Sequence, residues 1–490
     1  MANTYTVSRT HLIFGVCLPL AVLLGYLLAD PLESSSLSVV VLVLAVLATP
    51  LLMKFYHPAL VLSWNSAFYL PFLPGAPSLW SAFACLGAVV LLANRCINPQ
   101  RHPMFRGAVV WSLLCIAAVV GVTAMATGGI GSRVLGSSTY GGKKYFEVAV
   151  AIIGYFVLVS RRIPPARATM FAGLFFLSGG TYFLGDLAYM AGETFYVVYY
   201  FISPATVSVP ESDLGGMAMR RVTGLGNLSS AVCLFMLVRY GMSGILDLGR
   251  PWRLVITGLF MFGGLFGGFR SYIGNLALTF LVMFFLEGLH RTRKLFVLAV
   301  LATTCAAGLV AFSTRLPLSV QRALSFLPIE IDLVAKSSAE YSWEWRLEMW
   351  RELAHEVPSY FFKGKGYVID PTAMVMSQEN IYRGFGRGSE WAELAGDYHN
   401  GPLSVLIPFG IWGMLAFVWF LVVAGRQLCM NCVRGDPALG TINRVLYACF
   451  LVKIVFFFFL VGGFSTDMAV FVSLIGLGMS LNGESQEREE

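Results

Sequence analysis

Charged residues are scarce in this chain, because Asp, Glu, Lys and Arg together supply only 12% of its 490 residues. Soluble domains carry roughly 25% charged residues. Hydrophobic residues reach 57% here, and they collect in long runs. The composition therefore excludes an ordinary soluble protein. We predict an all-α polytopic membrane protein that lies in a lipid bilayer and has no nucleic-acid partner.

Metal-binding patterns are also missing. The sequence has no Asp-x-Asp pair, and most of its nine cysteines lie inside apolar runs, where they act as small hydrophobic residues. The single Cys429-Met-Asn-Cys432 motif has no second Cys pair to complete a site. We therefore predict no metal site and no cofactor.

Apolar runs of the length that crosses a bilayer, ~20 residues, recur along the chain. The weakest is 58–73, which contains Trp64, Asn65 and Pro71 and is predicted to be broken or re-entrant. We predict 12–14 transmembrane helices. The candidate spans are 12–29, 37–53, 58–73, 78–94, 107–127, 146–160, 168–188, 222–240, 254–269, 272–289, 295–313, 401–425, 445–462 and 468–482.

These spans divide the chain into five parts. An N-terminal group of transmembrane helices occupies residues 1–213, and a central group occupies 214–313. A long loop, 314–400, follows. C-terminal transmembrane helices fill 401–482, and 483–490 form an acidic tail.

The distribution of Lys and Arg predicts the orientation. With a cytoplasmic N-terminus, alternate loops carry the basic residues, while the opposite loops 30–36, 74–77 and 463–467 have no Lys or Arg. This is the positive-inside pattern, and it places both termini in the cytoplasm and loop 314–400 outside. Two segments depart from the pattern, Lys143-Lys144 with Arg133 and the pair Arg220-Arg221.

Within the long loop, residues 339–357 are predicted to form an amphipathic helix that Pro358 ends. Its tryptophans suit either an interfacial helix or one docked on the bundle. Trp343 and Trp350 lie one turn from Arg346 and are expected to aim its guanidinium. Basic, glycine-rich segments follow, so we predict a cationic lid that suits an anionic ligand.

Arginines and one histidine converge on the predicted outer side. Arg270 and Arg220-Arg221 stand where apolar runs begin, and His399 lies two residues before the run that starts at Gly401. Arginine forks bind a diphosphate bidentately, and a histidine can accept a proton from an attacking hydroxyl. Taken singly, snorkelling arginines and an interfacial histidine are the alternatives. Gly410 and Gly413 are interpreted as small residues that let another helix approach closely.

The motifs around these residues resemble the O-antigen ligase and O-antigen polymerase family of bacterial inner-membrane glycosyltransferases. His399-Asn400, nine residues and then Gly410-x-x-Gly413 look like the ligases' signature. Arg346-x-x-x-Trp350, Pro358 and Gly364-x-Gly366 are similar to the family's arginine–tryptophan–proline–glycine element. Arg270 stands where the family has Ser-Arg-Gly, but between Phe269 and Ser271. The resemblance covers roughly 215–465.

The resemblance implies the substrates and the residue roles. The donor would be an undecaprenyl-diphosphate-linked glycan bound from the periplasm, with His399 as the base and with Arg270 and Arg346 on the diphosphate. Asn400, Arg220, Arg221, Arg351 and Asp467 are further candidate substrate-binding residues. The acceptor would be lipid A–core for a ligase, or another lipid-linked glycan for a polymerase. A polysaccharide flippase is the alternative from another class, but no internal repeat supports it.

Overall fold

The computed structural model describes residues 34–73, 75–97, 107–130, 141–203, 221–369, 371–382 and 393–483, with a few isolated positions before residue 34. The chain divides into two compact units, Met1–His57 and Pro58–Glu490. Of the first unit, the continuously described part is the beginning of one helix. The site described below lies wholly within the second unit.

Helices dominate the described residues, and two isolated bridges, Phe68–Ile202 and Tyr69–Ser78, are the only β pairing found there. Short 3-10 turns join several of the helices. In chain order the α-helices are α1 Ser34–Ser63, α2 Leu79–Ile97, α3 Ala108–Thr127, α4 Gly142–Val159, α5 Pro165–Leu177, α6 Phe183–Ala191, α7 Thr223–Ile245, α8 Trp252–Gly263, α9 Arg270–Leu286, α10 Lys294–Phe312, α11 Leu318–Ala323, α12 Leu333–Tyr360, α13 Pro371–Tyr382, α14 Gly401–Arg434, α15 Gly440–Phe459 and α16 Phe464–Asn482.

Eight helical segments of the described chain are long and apolar enough to cross a membrane, and two shorter apolar helices, Trp252–Gly267 and Arg270–Leu286, add to them. The protein is therefore a multi-pass, all-helical membrane protein, as its composition predicts. The eight segments are Leu79–Cys96, Ala108–Thr127, Pro165–Ala191, Thr223–Ile245, Lys294–Arg315, Gly401–Arg434, Pro437–Phe459 and Phe464–Asn482.

The predicted span 12–29 lies outside the continuously described residues, and among the N-terminal spans that are described the prediction fails in one respect. Residues 37–53 and the start of 58–73 belong to one helix, α1, because residues 54–57 continue it without a break. The helix ends at Ser63, and the rest of 58–73 is non-helical. There the Trp64 indole nitrogen donates to the Ala469 carbonyl at 3.1 Å, and the Asn65 amide donates to the Phe175 carbonyl at 2.9 Å. These contacts bind the broken span to α5 and α16.

Aromatic side chains fill the core between α14, α15 and α16. Phe417 lies at its centre and is fully buried, with its ring 5.0 Å from Phe457 and 5.3 Å from Phe464. Lipid tails are as apolar as these rings, so close packing, rather than exclusion from water, holds the helices together. The start of α14 is anchored on α16, because Phe464 N donates to the Ser404 hydroxyl at 2.9 Å.

Helix α14 is broken at Gly410, whose φ is 63° and ψ is −164°. The break leaves backbone groups on both sides without their intrahelical partners, and a turn of the long loop supplies new ones. Three backbone hydrogen bonds join the two segments: Ile411 N to Phe361 O at 2.7 Å, Lys365 N to Ile407 O at 2.8 Å and Gly366 N to Pro408 O at 2.9 Å. The loop is thereby tied directly into a transmembrane helix.

The interpretation of Gly410 and Gly413 as a surface for another helix is wrong. A Cβ on Gly410 would stand 2.7 Å from the Phe361 carbonyl oxygen, which belongs to the docked turn of the loop. A Cβ on Gly413 would meet Phe409 of its own helix. Gly410 is required because its positive φ favours glycine and because the loop backbone fills the space beside it.

We expect Gly410→Ala to destabilise the protein by at least about 1 kcal/mol, since positive φ with ψ near 180° is essentially restricted to glycine and costs an L-residue about that much before any clash. Thermal unfolding of the purified protein in detergent measures the change. Gly308→Ala is the matched control, because a Cβ on Gly308 of α10 has nothing within 4 Å. Equal midpoints for the two variants would contradict the role of the break.

Candidate active site

Helix α12 carries the long loop's part of the site. Asp332 caps its N-terminus by accepting from Val334 N at 2.8 Å. The predicted amphipathic helix 339–357 lies within it, but Pro358 does not end it; the helix continues to Tyr360. The buried side chains of Met349 and Leu353 pack in one cluster with Tyr398 and Ile407. The helix is therefore docked on the segment that carries His399.

Tryptophans of α12 hold the His399 segment. The Trp350 indole nitrogen donates to the Tyr398 carbonyl oxygen at 2.8 Å, and the Trp345 ring centre lies 5.6 Å from that of His399. The Trp350 indole nitrogen therefore fixes the backbone beside the imidazole, while the aiming of Arg346 by Trp343 and Trp350 stays a prediction.

His399 itself has a φ of 48°, in the left-handed region. That conformation costs a residue other than glycine roughly 1–2 kcal/mol, and residues strained in this way are frequent at functional sites. Immediately after it, Asn400 caps α14, accepting from Leu403 N at 3.0 Å. The Asn400 side-chain oxygen is thus committed to the helix start, which gives this residue a structural role.

Arg270 and Arg346 lie close together. The Arg270 guanidinium donates to the Ala339 carbonyl at 3.0 Å, and Arg346 follows Ala339 by seven residues, which places both on one face of α12. The pKa of Arg346 is lowered, first by burial and then by the nearby charge of Arg270. The Arg346 Nε atom is buried, with no hydrogen-bond partner among the described residues. Two adjacent cations with an unused donor form a site for an anion.

Lys144 joins this cluster from α4. Its ammonium donates to the Gly396 carbonyl at 2.8 Å and lies 5.5 Å from the centre of the Tyr367 ring. The sequence had indicated Lys143 and Lys144 only as exceptions to the positive-inside pattern. Their departure from that pattern was the only signal for Lys144 in the sequence.

The surroundings of His399 favour its neutral form. Its pKa is lowered, first by burial and then by the positive charges of Arg346 and Lys144, while Asp397 opposes the shift. The Asp397 carboxylate lies 3.9 Å from Nδ1. A neutral imidazole can accept a proton, and the carboxylate stabilises the imidazolium that results. The cluster of His399, Arg346, Arg270, Lys144 and Asp397 is called the cationic site below.

Arg322, which no sequence pattern indicated, fixes the turn that presents Arg270. Its guanidinium is nine-tenths buried and donates to the Gly268 carbonyl at 2.7 Å and to the Ser338 hydroxyl at 3.0 Å. Arg221 donates to the Gly267 carbonyl at 3.3 Å and lies 4.4 Å from the centre of the Phe269 ring. Both arginines therefore support the backbone on which Arg270 stands.

Of the other predicted substrate-binding residues, Asp467 and Arg351 make no contact with the cationic site among the described residues. Asp467 forms an ion pair with Lys453 at 2.6 Å and accepts from Gly463 N at 3.1 Å. Arg351 lies on an exposed face of α12. Arg220 lies outside the described residues.

The fold and the cationic site define a multi-pass membrane protein with a basic, histidine-containing site at one end of its helices. Comparison with protein-family models and with the sequences of curated proteins finds no match.

Proposed function

We propose that the protein is a glycosyltransferase that moves an undecaprenyl-diphosphate-linked glycan to an acceptor sugar hydroxyl. The positive-inside pattern and the resemblance to the O-antigen ligase and polymerase family support a site on the periplasmic face of a bacterial inner membrane. The proposal is supported chiefly by the environment of Arg346. Its guanidinium is half-buried beside Arg270, and its Nε donates no hydrogen bond to any of the described residues. A diphosphate would satisfy that donor and offset the two like charges.

In the proposed reaction the acceptor hydroxyl oxygen attacks the anomeric carbon of the donor. The bond from that carbon to the diphosphate oxygen breaks, and the hydroxyl proton passes to His399. The diphosphate leaves with its negative charge, which Arg270 and Arg346 stabilise. Because a single displacement joins acceptor to donor, the anomeric configuration would be inverted. No metal ion is required in this scheme, since the arginines hold the leaving group.

The acceptor separates the two enzymatic alternatives. The His399-Asn400 pair, at the head of the ligase-like signature, favours transfer to lipid A–core. Transfer to a second lipid-linked glycan would define a polymerase that uses the same donor chemistry. A flippase would move the lipid-linked glycan without breaking the bond to its diphosphate.

Transfer by the purified protein tests the proposal. The protein in lipid nanodiscs receives a defined undecaprenyl-diphosphate glycan with either lipid A–core or a second lipid-linked glycan, with and without a chelator. A covalent product with lipid A–core, formed equally in both buffers, is expected. Product only with the second acceptor would establish the polymerase, and loss in chelator would exclude metal-free transfer. No product with either acceptor would overturn the proposal.

The pH dependence of transfer should follow the charges around His399. A base with a lowered pKa stays active below the ordinary histidine value of about 6.5, so the acid limb of kcat/KM should lie below that pH. Lys144→Gln removes a positive charge, raises the pKa of His399 and should move the limb to higher pH. Asp397→Asn removes the opposing negative charge and should move it to lower pH.

The acid limbs of Lys144→Gln and Asp397→Asn should move in opposite directions. A general loss of stability would not produce such opposite shifts. Profiles of kcat/KM against pH report the free enzyme. Identical acid limbs in the wild type and both variants would show that another group is the base.

A further inference from the structure

A large cavity lies beside the cationic site but is not lined by His399, Arg346 or Arg270. Its volume is about 940 Å³, at the upper end of the range of about 300–1,000 Å³ that ligand pockets occupy. Its walls come from the broken span after α1, from α2, α4 and α5, and from α7, α9, α15 and α16. It is called the chamber below. The two sites share a helix, since Lys143 of α4 lines the chamber while the adjacent Lys144 belongs to the cationic site.

Two stacked tryptophans lie in the chamber wall, where the half-buried Trp80 rests on Trp64, which is only 4% exposed. The rings of Trp64 and Trp80 are stacked, with centres 4.9 Å apart and an angle of 28° between their planes. The Trp64 indole is held by its hydrogen bond to Ala469, and its ring packs on Gly154, where a Cβ would stand 2.5 Å away. Rigid aromatic faces with little conformational entropy to lose suit the apolar face of a sugar ring.

Two asparagines present unused amide groups to the chamber. Asn227 and Asn275 line it and are exposed there, although each belongs to a predominantly apolar helix. Neither side-chain amide has a hydrogen-bond partner among the described residues. Polar side chains in membrane-spanning helices face a partner or a water-filled cavity, and they mark substrate paths. An amide offers both donors and acceptors, which matches the mixed character of sugar hydroxyls.

The charges in and next to the chamber compensate each other. Lys453 is paired with Asp467 at 2.6 Å. Glu147 lines the chamber together with Lys143 and lies within electrostatic range of it. The chamber therefore has amides, hydroxyls and aromatic faces to offer, but no surplus of positive charge like that of the cationic site. This balance favours a neutral polar ligand over a diphosphate.

We propose that the chamber binds a neutral oligosaccharide, with a sugar ring on the Trp80 ring, which Trp64 supports from behind, and with its hydroxyls on Asn227 and Asn275. This inference rests on the proposed function for its role, which is to hold sugar units next to the bond being made. The binding itself does not require transfer, so the two can fail separately.

Direct binding tests the chamber. Full-length protein in lipid nanodiscs is titrated with short neutral oligosaccharides of hexose and N-acetylhexosamine units, and binding is followed by saturation-transfer NMR. Trp80→Ala and Asn275→Leu should each weaken binding at least about tenfold, whereas Trp80→Phe should retain most of it because an aromatic face remains. Trp111→Ala, on an exposed face of α3 (66% exposed), is the matched control and should bind as the wild type does.

His399→Ala should also leave saccharide binding unchanged, which separates the two proposals. If the wild type binds saccharide normally but transfers no glycan, the proposed function is refuted and the saccharide site in the chamber is not. Transfer without saccharide binding would contradict the proposed saccharide site. Binding that is unchanged in Trp80→Ala and Asn275→Leu would contradict it as well. A photoreactive polyisoprenyl phosphate without sugar tests the remaining possibility, that the chamber binds a lipid chain. If this probe labels the Trp64–Ser81 segment and oligosaccharides fail to displace it, the proposed saccharide site is refuted.

Discussion

Replacing His399 with alanine should lower the rate of glycan transfer by about 10²–10⁴-fold, the range in which a positioned general base contributes. The imidazole is set against Trp345, faces the Asp397 carboxylate at 3.9 Å, and has a lowered pKa that keeps it neutral and able to accept a proton. Single-turnover transfer by the purified variant, with donor and acceptor at saturation, measures the loss in the chemical step.

The left-handed backbone at residue 399 calls for a second variant. Asparagine adopts positive φ more readily than alanine, so His399→Asn keeps the backbone while it removes the base. Both variants should unfold near the wild-type temperature and both should lose transfer. His355→Ala is the control, since His355 is exposed on α12. Wild-type rates in His399→Asn would refute the assignment of the base.

Removing the guanidinium of Arg346 is expected to have the next largest effect. Arg346→Ala should reduce transfer by about 10²–10³-fold, as loss of one preorganised donor to a developing charge does. Arg346→Lys should recover only a small part, because an ammonium is a point charge and cannot make two parallel hydrogen bonds to a diphosphate. Transfer rates and donor affinity, measured separately, show whether the ground state or the leaving group is affected.

The control for Arg346→Lys must make the same substitution of an ammonium for a guanidinium at a position outside the site. Arg315→Lys serves, because Arg315 is exposed in the turn that follows α10. Arg346→Lys with a normal rate would favour contact with lipid headgroups over a diphosphate site. A loss confined to donor affinity would place Arg346 in binding alone.

Part of the cationic site could be found from local sequence. His399 and Arg270 stand where polar and apolar stretches meet, and Arg346 lies between two tryptophans of an amphipathic helix, so these residues can be selected without a fold. Lys144 was visible only as a departure from the positive-inside pattern. Arg322 carried no signal, because its function depends on two partners, Gly268 and Ser338, that lie 54 and 16 residues away. Long-range partners of this kind are set by packing.

The sequence by itself determined that the chain is a multi-pass helical membrane protein, because ~20-residue apolar runs are stable as helices in a bilayer whatever their neighbours are. It also determined that residues 339–357 are helical, through their amphipathic period. Tertiary structure decided that α14 breaks at Gly410, that the loop's backbone completes that break, and that tryptophans of α12 orient the His399 segment. The physical reason is that these features depend on hydrogen bonds between segments distant in sequence, and local periodicity carries no information about such partners.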